Sequence, residues 1–252
     1  MDVRVSGLRL GYENFQLQVD QLYFQEKRIS VIIGPNGAGK STFLKAITGL
    51  IKCPPGTVFI DGYDLARLSS RERAALVSYV PQEHSAALNF QVFDFILMGR
   101  SGHLDLFSSP SRDDYRKVEE IIAYLGIEKL VSRKYMELSS GERRIVLMAR
   151  ALAQDSRIII LDEPTTFLDL KHEMEIVELL KKLSSERQQT IICSLHSLDL
   201  VPRLADFLVM IKSGKVLAAG EMPDVFRTEL LAELYDYPLQ VIETEGRKII
   251  LR

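Results

Sequence analysis

The sequence predicts an α/β fold with a mainly parallel sheet, an N-terminal antiparallel β subdomain and an inserted helical subdomain. Three observations carry that class. Residues 34–42 read G-P-N-G-A-G-K-S-T, a phosphate-binding loop pattern set between an apolar run and a helical pattern. Residues 28–33, 158–161 and 190–194 are short, almost wholly apolar runs, the signature of strands buried on both faces. From 83 to about 154 the strand signals stop and helical spacing takes over.

The loop at 34–42 has physical reasons for its residue types. Gly34, Gly37 and Gly39, with Pro35, Asn36 and Ala38 between them, let the backbone turn tightly and aim N–H groups at an anion. Lys40 supplies a positive charge for the β- and γ-phosphates. The Ser41 hydroxyl suits Mg²⁺, and Thr42 follows it in a helix whose positive end faces the phosphates. Phe43, Leu44, Ile47 and Leu50 give that helix its apolar face.

Composition bounds the remainder. At 252 residues, 46% of them hydrophobic, the chain builds one large domain or a domain with a subdomain. A net charge of −2 with interspersed signs exerts no strong pull on nucleic acid or anionic lipid. Cys53 and Cys193 suit no metal-site spacing and read as core or near-core thiols of a reducing compartment. No signal peptide and no apolar run near ~20 residues is legible, so a cytoplasmic protein is expected, held at any membrane by another chain.

In chain order, 3–10 and 15–24 read as strands, with Gly11 and Asn14 as turn residues between them. Tyr12 at that turn is either a surface tyrosine or an aromatic face for adenine. Residues 57–60 enter the turn at Asp61-Gly62, and 76–80 form a short strand ended by Pro81. Gln82 follows at once; beside a phosphate loop, its side-chain oxygen can serve Mg²⁺ or the attacking water. Residues 92–99 look helical. Ser111 and Asp114 form a capping box for a helix carrying Val118, Ile121, Ile122 and Leu125, stopped at Gly126. Residues 138–144, L-S-S-G-E-R-R, feed a further helix; their turn is either a plain N-cap or a second anion site.

After the strand at 158–161 come Asp162 and Glu163. Carboxylates at the end of a buried strand are costly unless they act, and ligands of open α/β sheets bind at such ends. Asp162 is placed to hold Mg²⁺ through water, and Glu163 to polarise a water attacking the γ-phosphate. Asp169 begins a helix with Ile176, Val177, Leu180 and Leu183. His196 lies just past the strand at 190–194; a lone histidine is either structural or, as this strand-end position favours, a hydrogen-bonding partner of the γ-phosphate region. Residues 207–219 form a hairpin around Ser213-Gly214-Lys215, and 223–235 a short amphipathic helix. The remaining tail, 239–252, is too short for a second domain.

Taken in this order, Tyr12, residues 34–42, Gln82, 138–142, 158–163, Leu168-Asp169 and His196 resemble the A-loop, Walker A, Q-loop, signature, Walker B, D-loop and H-loop of ABC-transporter ATPases. The resemblance spans nearly the whole chain. Residues 97–107, 195–200 and the G-E-R signature further resemble the ATPases of importers for iron–siderophores, haem and cobalamin. Four positions depart from the pattern: Ser140 for Gly, Arg144 for Gln, Ser197 for Asp and Gly102 for Pro. Ser140 would be strained if its backbone has positive φ.

The resemblance implies a core of 1–82 and 155–252 with a helical subdomain at 83–154. It implies a head-to-tail dimer with ATP on Lys40, Ser41 and Thr42 of one subunit, facing Ser139, Ser140, Gly141 and Glu142 of the other, with Asp169 nearby. Mg²⁺ would be held by Ser41, Gln82 and Asp162; Lys40, Gln82, Glu163 and His196 would be the catalytic set. The implied partners are a second copy, polytopic membrane permease subunits at the cytoplasmic face and, indirectly, an extracytoplasmic substrate-binding protein; no nucleic acid is implied. The alternative is a non-transport ABC ATPase acting in complex or cofactor assembly.

Overall fold

The structure is a computed structural model that describes residues 1–12, 15–82, 90–104, 108–244 and 247–251, with Tyr12 and Arg247 described by backbone alone. Asn14 lies outside the described residues. The chain opens with β1 (Val3–Tyr12), β2 (Phe15–Phe24), β3 (Ile29–Ile33) and α1 (Lys40–Ile47). It continues through β4 (Val58–Ile60), β5 (Tyr63–Asp64), α2 (Ser70–Leu76) and β6 (Val77–Val80). Three helices follow, α3 (Val92–Leu97), α4 (Arg112–Leu125) and α5 (Ser140–Ala153), before β7 (Ile158–Leu161) and α6 (Leu170–Ser185). Next come β8 (Thr190–Ser194), α7 (Val201–Leu204), β9 (Phe207–Lys212) and β10 (Lys215–Glu221). Two short helices, α8 (Met222–Val225) and α9 (Thr228–Tyr235), and the strands β11 (Gln240–Thr244) and β12 (Arg247–Leu251) complete it.

Ten strands form one sheet in the order β5-β4-β1-β2-β10-β9-β3-β8-β7-β6. β9, β3, β8, β7 and β6 are parallel throughout. β1, β2, β4 and β5 form the expected antiparallel N-terminal portion. The parallel strands are covered on both faces, and their residues divide by alternation. Ile29, Val31, Ile33, Ile159, Leu161, Ile191 and Cys193 join the core that contains α5 and α6. Ile32, Ile158, Ile160 and Ile192 join the other core, with Phe43, Leu44 and Ile47 of α1. The first core is continuous from the strands to Phe95, Val118 and Ile122 of the helical segment.

Helix α4 follows its sequence pattern closely. Ser111 caps it in a capping box with Asp114, and Gly126 closes it in the left-handed conformation at φ 65°. The anticipated helix at 223–235 is instead two helices. Phe226 is fully buried and Arg227 is extended, so burying that ring breaks the helical path between α8 and α9. The tail forms the β11–β12 hairpin, with Val241 paired to Ile250 and Ile242 to Ile249.

Asp114 also does something the spacing did not reveal. Its Oδ1 accepts from Arg100 Nε at 2.8 Å, its Oδ2 accepts from the Ser111 amide at 2.9 Å and hydroxyl at 2.7 Å, and Arg100 Nη1 donates to Ala153 O at 2.9 Å. One buried ion pair therefore ties the start of α4 to the end of α5. The Ser111 and Arg100 hydrogen bonds pull the Asp114 carboxyl down to about 2. A depressed carboxyl contributes stability above its unfolded pKa and loses it as pH falls through the folded one. Asp114→Asn is expected to cost about 3 kcal/mol at neutral pH by urea unfolding, since it leaves Arg100 uncompensated. The deficit should hold down to about pH 4, the unfolded carboxyl pKa, and shrink as pH falls toward 2.

Candidate functional site

Parallel pairing sets the site. Val80 lies opposite Leu161, Leu161 opposite Cys193, and Ile32 opposite Ser194. The next residues along each strand, at 34, 82, 162–163 and 196, therefore emerge at one edge of the sheet. A cavity of about 850 Å³ lies there. Its walls include Asn36, Gly37, Ala38, Gly39, Lys40, Ser41 and Thr42 from the loop into α1, Gln82 after β6, Glu163 after β7 and His196 after β8.

The loop holds the shape its glycines permit. Gly37 and Gly39 have φ of 75° and 104°. A Cβ on Gly39 would meet the Phe15 ring at 2.5 Å, and one on Gly34 would collide with Ile211 O. α1 starts at Lys40 with no acidic residue in its first turn, so the positive end of the helix is uncompensated toward the cavity. Lys40 is buried. Its ammonium donates to Gly34 O at 2.8 Å and Pro35 O at 3.2 Å and stands 3.9 Å from Glu163 Oε1. Burial lowers its pKa from the ordinary lysine value, against the opposing pull of Glu163 and Asp162.

The acidic pair splits into two roles. Asp162 is buried, with Oδ1 accepting from Ser194 Oγ at 2.7 Å and Oδ2 from Tyr79 Oη at 3.1 Å. Glu163 faces the cavity. Its amide donates to Ser194 Oγ at 2.8 Å, and its Oε2 accepts from Gln82 Nε2 at 2.7 Å and Thr166 Oγ1 at 3.1 Å. Glu163 has φ 46°, a left-handed conformation that costs a non-glycine residue on the order of 1–3 kcal/mol. Ser194 thus bridges the side chain of one acid and the backbone of the next. Burial first, then Asp162, raises the Tyr79 pKa, so its hydroxyl stays a donor.

The signature residues lie elsewhere. Ser139 caps α5 through a capping box with Glu142, whose carboxyl the Ser139 amide holds low. Ser140 has helical φ, so its departure from glycine brings no strain. Gly141 packs on α6: a Cβ there would meet the His172 ring at 2.6 Å. That ring is held by Asp169, the cap of α6, whose Oδ1 lies 2.8 Å from His172 Nδ1. Ser139, Ser140, Gly141, Glu142 and Asp169 do not line the cavity, and neither do Gly34, Pro35 and Asp162. The side chain of Tyr12 lies outside the described residues. Phe15, paired with Tyr12 between β1 and β2, lines the cavity, a position the spacing did not single out.

A family model described as ABC transporter matches residues 17–166. The chain belongs to the ABC transporter family as one of its ATPases. A Methanocaldococcus jannaschii ABC transporter ATP-binding protein is 37% identical over 235 residues, 93% of this chain and 81% of that protein. An iron chelatin transport ATP-binding protein of Helicobacter pylori is 33% identical over 99% of both chains. A cobalamin import ATP-binding protein of Halobacterium salinarum is 34% identical over 94% of this chain and 57% of its own length. Among solved structures, an ABC transporter described as metal-chelate type, in an inward-facing conformation, superposes with a TM-score of 0.86 at 28% identity, over 99% and 97% of the two chains. A dimeric ATP-binding cassette bound to ADP and Pi gives 0.75 at 28% identity, over 87% and 98%.

This ABC ATPase therefore binds nucleotide and hydrolyses it. Among the described residues no helix is long and apolar enough to cross a membrane. Ser194 offers the sharpest test of the site's construction. Ser194→Ala strands the Glu163 amide and one Asp162 oxygen, so it is expected to cost about 2 kcal/mol of stability and to lower ATP turnover with little change in ATP affinity. Urea unfolding and steady-state ATPase kinetics check both; unaltered turnover would remove Ser194 from the acidic pair's support.

Proposed function

We propose that this ATPase powers an importer for an iron chelate of siderophore type, haem or cobalamin, working as a head-to-tail dimer at the cytoplasmic face of the membrane. One observation carries the ATPase part of the reading: Lys40, Gln82, Glu163 and His196, drawn from four strand ends, face a single cavity beside the glycine loop. The relatives named for iron chelatin and cobalamin transport, and the likeness to a metal-chelate type transporter, support the cargo class.

ATP would lie on residues 34–42 with its phosphates at the start of α1, and Lys40 would turn from the Gly34 and Pro35 carbonyls toward the β- and γ-phosphates. Ser41 and Gln82 offer hard oxygen ligands in the cavity wall, and Asp162 offers a carboxylate behind it, a donor set that fits Mg²⁺. When bound, that ion supplies neutralisation of phosphate charge. Glu163 takes a proton from the attacking water, the water oxygen bonds to the γ-phosphorus, and the bond to the bridging oxygen breaks with its electron pair leaving on ADP. His196 holds the γ-phosphate. Positioning and charge neutralisation supply most of the acceleration. Phe15 would border the base.

The dimer accounts for features one chain leaves unused. Phe167 and Leu170 flank Asp169 with 71% and 74% exposure, apolar surface beside the cavity mouth. The Ser139–Gly141 turn is a helix N-terminus that does not line the cavity of its own chain, and in the proposed dimer it would face ATP on the second copy. ATP closes the pair; hydrolysis opens it, and the helical segment at 83–154 carries the change to permease subunits. A substrate-binding protein outside the membrane would deliver the cargo.

Glu163→Gln is expected to keep ATP binding and lower turnover at least about a hundredfold, the scale of losing a general base; near-normal turnover in the purified variant would take Glu163 out of that role. Lys40→Ala should weaken nucleotide binding measured by calorimetry, and unchanged affinity would contradict the assignment of the loop. The cargo class is tested by co-purification: a permease of about ten spans should come down with the tagged chain and take up a ferric chelate, haem or cobalamin when reconstituted.

A further inference from the structure

Arg144 stands where the family pattern has Gln, and no role above uses it. It is buried on α5, five residues after the Ser139 cap, a rise of about 7 Å along the helix. Its guanidinium reaches across to the end of β6. Nη1 donates to Pro81 O at 2.9 Å and Nη2 to Gln82 O at 2.7 Å. The ladder between β6 and β7 runs to the bond from the Asp162 amide to Val80 O, 2.9 Å, and Pro81 and Gln82 continue past it. The two carbonyls that follow the strand are therefore both held by one planar fork from another element. Such a fork fixes direction as well as distance, because its two N–H groups cannot move independently. The backbone it fixes carries the Gln82 carboxamide, which stands 2.7 Å from Glu163 Oε2.

We infer that Arg144 is a positioning residue for hydrolysis: it clamps the Pro81–Gln82 backbone to the signature helix so that the Gln82 side chain stays at Glu163 and at the metal-binding wall. The inference rests on the proposed roles of Glu163 and Gln82. A consequence is that the helix beginning at Ser139 and the Gln82 segment move as one unit. Whatever displaces α5 also displaces the carboxamide at the general base.

The test is ATPase kinetics on the purified chain, with ATP and Mg²⁺ varied separately. Arg144→Met is expected to lower kcat about tenfold, within the range that misplacing a polar group costs, and to raise the Mg²⁺ concentration for half-maximal rate. KM for ATP should stay within about twofold, because the glycine loop is untouched. Arg144→Lys keeps the stem and charge but not the fork, and should fall between Met and wild type, which preserves the test if the Met variant does not fold. The decisive measurement is the double variant with Gln82→Ala. If Arg144 acts through Gln82, the double variant turns over no more slowly than Gln82→Ala alone. Additive losses, or wild-type kcat and Mg²⁺ dependence in both Arg144 variants, would overturn the inference while leaving the ATPase reading intact. A wild-type chain with no ATP turnover would defeat both.

Discussion

The structure depends on the parallel register of β3, β8, β7 and β6. Four segments far apart in the chain acquire a common direction because their backbone ladders align Ile32 with Ser194, Cys193 with Leu161 and Leu161 with Val80. Once aligned, the residues that leave the strands must leave on the same side. A shift of one residue in any pairing would also exchange the two buried faces, moving Ile159 and Leu161 into the core of Ile158 and Ile160. The separation of the two cores by alternation is thus what fixes the edge at which the cavity lies. Packing chooses the register, and the register places the chemistry.

Placing carboxylates at that edge has a cost that the neighbouring strands offset. Asp162 is buried beside an apolar sheet, where an unpartnered carboxylate would be strongly disfavoured. Tyr79 from β6 and Ser194 from β8 each donate to one of its oxygens, so both flanking strands contribute. The same Ser194 oxygen accepts from the Glu163 amide, at the residue whose backbone turns left-handed. That turn aims Glu163 into the cavity while Asp162 points back into the sheet. Adjacent acids in sequence are separated in environment by one strained residue, and a serine on the next strand stabilises the strain.

Much of this was legible in the order of residues. Apolar runs of four to six residues announced the parallel strands, and G-P-N-G-A-G-K-S-T announced the loop, because backbone period and turn chemistry are local. The capping box of Ser111 was equally local, and so was the helix start at 138–144, where the structure adds a capping box between Ser139 and Glu142. What escaped notice was every bond joining distant segments. Ser194 reads as one more residue of a buried strand, Arg100 as one residue of the stretch at 97–107, and Arg144 as a departure from a pattern. Their partners lie at Asp162 and Glu163, Asp114 and Ala153, and Pro81 and Gln82. Spacing cannot show such contacts, since only the folded topology brings the groups together. The break at Phe226 escaped for the same reason: amphipathic spacing ran on through 223–235, but tertiary burial of one ring overrode it.

The groups that do not face the cavity are as informative as those that do. Gly141 lies so close to the His172 ring that no side chain fits between, and His172 is bound to Asp169. The start of α5 and the start of α6 are therefore built as one surface, with Phe167 and Leu170 exposed beside it. Arg144 continues α5 inward to the carbonyl of Gln82. A single connected path runs from an exposed surface, through one helix, to the hydrogen bond on Glu163. Because the elements along it are joined by side-chain bonds and close packing, a displacement of the start of α5 is coupled to the Gln82 segment and to its hydrogen bond on Glu163.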